Sequence, residues 1–160
     1  MMKLYIAEKS SLGRGIANVL HGKRRSEDNF FWCDGDIVAW AAGHLLELFE
    51  PEDYDPTFKK WGLKTLLYVP EKWKLRPKKR TKPLFDDLSR FIKGLSASDV
   101  VIHAGDADRE GQLLIDEILE YCGWKGKTLR LRINDVNTDA IRKAPAIFYV
   151  FGYDDKGECQ

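Results

Sequence analysis

The stretch that most constrains the fold covers residues 100–111, V-V-I-H-A-G-D-A-D-R-E-G. Val100, Val101 and Ile102 form a β-branched apolar run, which suits a strand buried on both faces of a parallel sheet. Gly105 ends the strand, Asp106, Asp108 and Glu110 recur at every second position, and Gly111 opens a helix. That order puts the carboxylates at the C-terminal edge of a parallel sheet, where open α/β folds bind ligands. In an extended turn alternate side chains point the same way, so the three acids can share an oxygen-seeking cation. Without one they repel each other, and burying any of them unpaired is costly. The same acids also suit a solvated helix N-terminus, where each is favoured by the dipole by about 0.3–1 kcal/mol.

Residues 4–7 make a second short apolar strand that delivers Glu8 and Lys9 to the same edge if the two strands are parallel neighbours. Ser10 or Ser11 can cap a following helix with an apolar face of Leu12, Ile16, Val19 and Leu20. Gly13 and Gly15 give a G-x-G fragment, but Asn18 stands where a dinucleotide loop needs its third glycine. Apolar runs on either side of Asp34-Gly35 predict a β-hairpin. His44 is expected to serve a turn. Residues 50–61, with Pro51, Pro56, Tyr54 and several acids, predict an irregular acidic loop that offers a partner surface.

Residues 72–82 concentrate Lys72, Lys74, Arg76, Lys78, Lys79, Arg80 and Lys82 around Trp73 and Pro77. Such a stripe suits either phosphate contact or a solvated linker. Leu84, Leu88, Phe91, Ile92 and Leu95 then predict an amphipathic helix leading to the strand at Val100. Beyond the acidic turn, Leu113, Leu114, Ile118 and Tyr121 mark another covering helix closed by Gly123. Residues 128–133 alternate, with Thr128, Arg130 and Arg132 expected outward and Leu129, Leu131 and Ile133 inward. Asn137 can cap a last helix from Thr138, which Pro145 ends.

A chain of 160 residues supports one well-formed core. With 26 basic and 25 acidic residues there is no global field, so nucleic-acid affinity must come from local clusters. Cys33, Cys122 and Cys159 are isolated, which predicts neither a disulfide framework nor a zinc site and points to a reducing compartment. No apolar run approaches the roughly 20 residues of a membrane span, and charge interrupts the N-terminus too early for a signal peptide. A soluble, cytoplasmic protein is expected.

Residues 103–112, H-A-G-D-A-D-R-E-G-Q, closely resemble the metal-binding signature of the Toprim domain in type IA DNA topoisomerases, the topoisomerase III branch in particular. Residues 3–9, K-L-Y-I-A-E-K, look like the first strand and acid motif of the same family. A-A-G-H-L-L-E-L at 41–48, V-P-E-K-W at 69–73 and R-I-N-D-V-N at 132–137 are similar to that branch as well. The resemblance implies an α/β, Rossmann-like fold with a mainly parallel sheet, helices on both faces and an antiparallel hairpin. It covers residues 1–144 as one Toprim domain. Residues 145–160 look like a divergent tail, expected to be peripheral.

By the same resemblance, Glu8 is the general acid and base at the leaving oxygen and Lys9 steadies the phosphate. Asp106, Asp108 and Glu110 hold Mg2+. Arg109 and, from its local charge, the basic stripe (Lys72, Lys74, Arg76, Lys78, Lys79 and Arg80) are the expected contacts to a single-stranded segment of DNA. Phosphoryl transfer asks for such a set, because it is mostly positioning and charge stabilisation. Two positions depart from the family pattern. Ser10 and Ala107 stand where the family usually has proline, which loosens both turns without removing a ligand. None of Tyr5, Tyr54, Tyr68, Tyr121, Tyr149 or Tyr153 has the context of the family's cleavage tyrosine. The chain is therefore expected to be inactive alone and to need the other topoisomerase domains, in trans if they are separate. The alternatives are a small Toprim metal-dependent nuclease and a non-catalytic DNA-binding accessory module.

Overall fold

The computed structural model describes residues 1–20, 22–60, 62, 69–106, 108–133, 137–144 and 146–149. Its frame is a seven-stranded sheet in the order β2-β3-β4-β1-β7-β8-β9. The strands are β1 (Lys3–Ala7), β2 (Arg24–Ser26), β3 (Phe30–Cys33), β4 (Asp36–Trp40), β7 (Val100–Ala104), β8 (Thr128–Leu131) and β9 (Ala146–Tyr149). The central four, β4-β1-β7-β8, run parallel, and antiparallel strands complete both sides. A separate antiparallel pair joins β5 (Leu46–Leu48) to β6 (Leu75–Pro77).

The period-2 alternation of the central strands decides which helices cover which face. Leu4, Ile6, Ile37, Ala39 and Val101 pack with α3 (Lys82–Gly94) and α4 (Arg109–Tyr121). Tyr5, Ala7, Val38, Val100, Ile102 and Ala104 pack with α1 (Ser10–Val19) and α5 (Thr138–Lys143). The expected α/β sheet with helices on both faces is thus the observed one. Leu84, Leu88, Phe91 and Ile92 turn inward from α3, as their spacing predicts. The Asp34-Gly35 turn has positive φ at both residues and closes a two-residue hairpin with Cys33 opposite Asp36, the geometry that favours glycine there.

Some expectations change. The residue before α1 is Lys9, with no side-chain cap, and Ser10 already lies within the helix. A Cβ on Gly13 would come within 3.0 Å of the Trp40 ring, so the first glycine of G-x-G allows close helix–sheet packing. The acidic loop contains α2 (Pro51–Tyr54), started by a reciprocal Glu50–Asp53 capping box, and a 3-10 turn over Pro56–Lys59. Thr128 and Arg130 are buried, where an outward face was expected, because β8 is flanked on both sides and covered. The first part of the presumed tail supplies the antiparallel edge strand β9, and residues 150–160 lie outside the described residues. No helix among the described residues is long and apolar enough to cross a membrane.

The start of β1 is tied to the loop before β7 through Asp99. Its carboxylate accepts from the Met2 amide at 2.7 Å and from the amide and hydroxyl of Ser96 at 2.9 and 2.7 Å. These bonds favour the anion and lower the Asp99 pKa from 3.8 to about 2. A carboxyl depressed on folding stabilises above its unfolded pKa and loses that contribution as pH falls through the folded value. Wild type should therefore exceed Asp99→Asn in stability by a constant margin at neutral pH. Denaturant titrations should show the margin shrinking as pH drops from about 4 to 2, and a margin independent of pH would contradict this anchor.

Candidate active site at the sheet edge

β1 and β7 are parallel neighbours with Ala7 opposite Ala104, so both chains leave the sheet side by side. That register brings Glu8 against the acidic turn. The Asp106 amide donates to Glu8 Oε2 at 3.1 Å. Lys9 Nζ bridges the pair, 2.8 Å from Asp106 Oδ2 and 3.4 Å from Glu8 Oε1. The hydrogen bond to Asp106, and then the charge of Glu8, raise the Lys9 pKa above its ordinary value. Glu8 is mostly covered, with 15% of its side chain exposed, whereas Asp106 and Lys9 open to solvent. A third strand end joins them: the amides of Ala41 and Ala42, just after β4, donate to the carbonyls of Ala7 and Glu8, each at 2.9 Å.

Asp108 is the N-cap of α4, and its Oδ1 accepts from the Gly111 amide at 2.7 Å. Arg109 and Glu110 are exposed in the first turn. Glu8, Lys9 and Asp106 are therefore gathered, while Asp108 and Glu110 face their own helix terminus and solvent. Among the described residues, no three His, Cys, Asp or Glu side chains converge closely enough to enclose a metal. Ala107 lies outside the described residues. The oxygen-only donors Asp106, Asp108 and Glu110 nevertheless have the chemistry that hard divalent cations require, and the Lys9 ammonium already sits against Asp106.

The basic stripe is divided in the fold. Arg76 is engaged internally, with Nε 2.9 Å from Glu47, Nη1 2.5 Å from Asp53 and its guanidinium over the Phe49 ring. Lys74 Nζ lies over the Tyr54 ring and Lys82 pairs with Asp86 on α3. Lys72, Lys79 and Arg80 are exposed and Lys78 half-buried. His44, expected to be bonded within a turn, instead bonds the distant Glu117 on α4 at 3.1 Å.

Sequence reasoning missed the backbone approach beneath the acids. A Cβ on Gly111 would stand 2.6 Å from Glu8 Oε2 and 2.7 Å from both the amide and the carbonyl oxygen of Asp106. A Cβ on Gly105 would strike the Gly111 carbonyl. These glycines let the turn, the helix start and Glu8 touch. Also missed was the burial of His103 and Arg130: the parity of His103 with Val101 was available as a signal, whereas Arg130 shares the parity of Thr128, which was expected outward.

Residues 3–158 match the Toprim domain family model. The chain is 47% identical over 148 residues to DNA topoisomerase 3 of Haemophilus influenzae, covering 89% of this chain and 22% of that protein. It is 44% identical over 149 residues to the Vibrio cholerae DNA topoisomerase 3, covering 90% of this chain and 23% of that one. The Bacillus subtilis DNA topoisomerase 3 shares 36% identity over 140 residues, 86% of this chain and 19% of its own length. The chain thus spans about a fifth of these relatives.

Gly111→Ala tests the close approach. Helix propensity alone favours alanine by roughly 0.5–1 kcal/mol. Overpacking against Glu8 and the Asp106 backbone should outweigh this, for a net loss of about 1–2 kcal/mol in denaturant unfolding. A variant more stable than wild type would show that Glu8 and the turn separate freely.

Proposed function

The chain belongs to the Toprim domain family, and from that membership we propose that it forms the acid/base and metal-binding part of a topoisomerase III-like enzyme that cleaves and reseals single-stranded DNA. The observation that carries this reading is the meeting of Glu8, Lys9 and Asp106 at the C-terminal edge of the parallel strands. A covered carboxyl beside an ammonium suits strand cleavage. Glu8 gives a proton to the departing 3′ oxygen and takes it back on resealing, which is general acid/base work done by one group in two directions. Lys9 carries its charge to the phosphate, since a lysine ammonium at a solvent-exposed position is cationic at neutral pH.

Asp106, Asp108 and Glu110 would hold Mg2+, which when bound supplies further charge stabilisation at the phosphate. Asp108 caps through one oxygen and keeps a second acceptor, so capping and ligation are compatible. Lys72, Lys74, Lys78, Lys79, Arg80 and Arg109 are the phosphate contacts of this proposal. Arg76 was expected among them, but its two internal carboxylate partners make it the least suited. The tyrosine that attacks the phosphate would come from chain outside these residues, in cis or in trans. A cytoplasmic setting follows from the DNA substrate.

Two experiments test the reading. In the first, Mg2+ at about ten times its dissociation constant should stabilise the fold by RT ln 11, roughly 1.4 kcal/mol, or about 3–6 °C in melting temperature. Asp108→Asn should shrink that response, and a wild type indifferent to tens of millimolar Mg2+ would remove the metal from the proposal. In the second, residues 3–144 replace the matching segment of the Haemophilus influenzae DNA topoisomerase 3. Plasmid relaxation should survive the exchange, and Glu8→Gln should then lower its rate by about 10²–10⁴. An active Glu8→Gln chimera would exclude Glu8 as the proton-transfer group.

A further inference from the structure

Beneath the acidic turn lies a buried polar cluster that the proposed chemistry does not use. Arg130 on β8 stands opposite His103 on β7, and the two are 8% and 0% exposed. His103 shares a strand face with Val101, the face covered by α4. Arg130 Nη2 donates to the Asp106 carbonyl at 2.7 Å, while Nη1 lies against the His103 ring, 2.8 Å from Nε2 and in contact with Nδ1. His103 in turn reaches both ends of the turn. Its Nδ1 accepts from the Gly105 amide at 3.3 Å, and its Nε2 is 3.3 Å from the Gln112 carbonyl and 3.5 Å from Asp116 Oδ1 on α4.

An apolar side chain on this covered strand would cost less to bury than a guanidinium. The immediate neighbours of Arg130 in β8, Leu129 and Leu131, are both apolar. What the guanidinium supplies, and they cannot, is a rigid fork of donors able to hold a main-chain carbonyl and a side chain at once. The held carbonyl belongs to Asp106, the residue that meets Glu8 and Lys9. Glu8 pins the amide of Asp106 from one side and Arg130 pins its carbonyl from the other.

We infer that Arg130, braced by His103, is the positioning residue of the acidic turn: its hydrogen bond to the Asp106 carbonyl fixes the direction in which the Asp106 carboxylate is presented to a divalent cation. This rests on the proposed function for the identity of the ligand, but the positioning itself is a property of the metal-free turn. Outer partners of metal ligands commonly change affinity by about 10–100-fold when removed. A purely electrostatic role predicts the opposite sign, since deleting a buried cation beside the acids would tighten cation binding.

The test uses the chain with Arg130→Met, which keeps the stem and removes the donors, and Arg130→Lys, which restores one cationic donor. Two quantities are read: Mn2+ affinity, by electron paramagnetic resonance of the free ion, and amide exchange of Asp106 and Gly111 in metal-free protein. Arg130→Met should bind Mn2+ about 10–100-fold more weakly. It should exchange both turn amides faster, while the amides of β1 and α3 keep their protection. Arg130→Lys should recover part of both losses. The inference is overturned if folded Arg130→Met binds Mn2+ as tightly as wild type or more tightly, with turn amides unchanged, or if Arg130→Lys is no better than Arg130→Met. Should Arg130→Met fail to fold, Arg130→Lys is compared with wild type: slower-than-wild-type exchange or unchanged values in both measurements overturn the inference, and faster turn exchange with weaker Mn2+ binding supports it. A wild type that binds no Mn2+ at all defeats the proposed function instead, and turn exchange then decides the positioning alone.

Discussion

The site depends on one pairing, the parallel register of β1 with β7. With Ala7 opposite Ala104, the first residue beyond β1 is Glu8 and the first two beyond β7 are Gly105 and Asp106, so catalytic candidates separated by about a hundred positions leave the sheet together. A slip of one residue would turn every side chain of β1 to the other face, exchanging Leu4 and Ile6 with Tyr5 and Ala7 between two different helix layers. The register is therefore held by the core, and the site inherits its precision from packing far larger than itself. The loop after β4 adds to this by donating the Ala42 amide to the Glu8 carbonyl.

What could be read from sequence follows from periodicity. The strand at Val100, the hairpin at Asp34-Gly35 and the inward faces of α1 and α3 are all repeated local patterns visible without knowing the fold. On α4, Leu114 and Ile118 turn inward as read, but Leu113 and Tyr121 are exposed and Ile115 and Leu119 take their place. Glu8, Lys9 and Asp106 were placed together on a condition, that their strands are parallel neighbours, which the topology satisfies. The less legible features are those where two segments meet. Arg130 reads as an outward residue because charge usually faces water, and only the burial of β8 between β7 and β9 reverses that. The glycines at 105 and 111 read as a strand break and a helix start, whereas their neighbours across the turn are what exclude a Cβ. The alternation of the acids suggested one shared direction, but Asp108 turns back to cap α4, since the Gly111 amide at the helix start is a donor that the neighbouring carboxylates cannot offer.

Three of the acids at this edge are each answered by a group of the protein, while Glu110 is exposed in the first turn of α4. Glu8 has the Asp106 amide and Lys9, Asp106 has Lys9, and Asp108 has the Gly111 amide. Because the repulsion expected of clustered carboxylates is met internally, the turn folds on protein contacts, unlike small metal domains whose binding free energy is their folding free energy. Under the proposed function this has a consequence for the order of events. To hold a cation, Asp106 would have to give up its contact with the Lys9 ammonium, which would leave Lys9 for a phosphate. The contact that quiets the acids is thus the one Lys9 would release, and on the proposed function its place between Glu8 and Asp106 would link cation binding to phosphate binding.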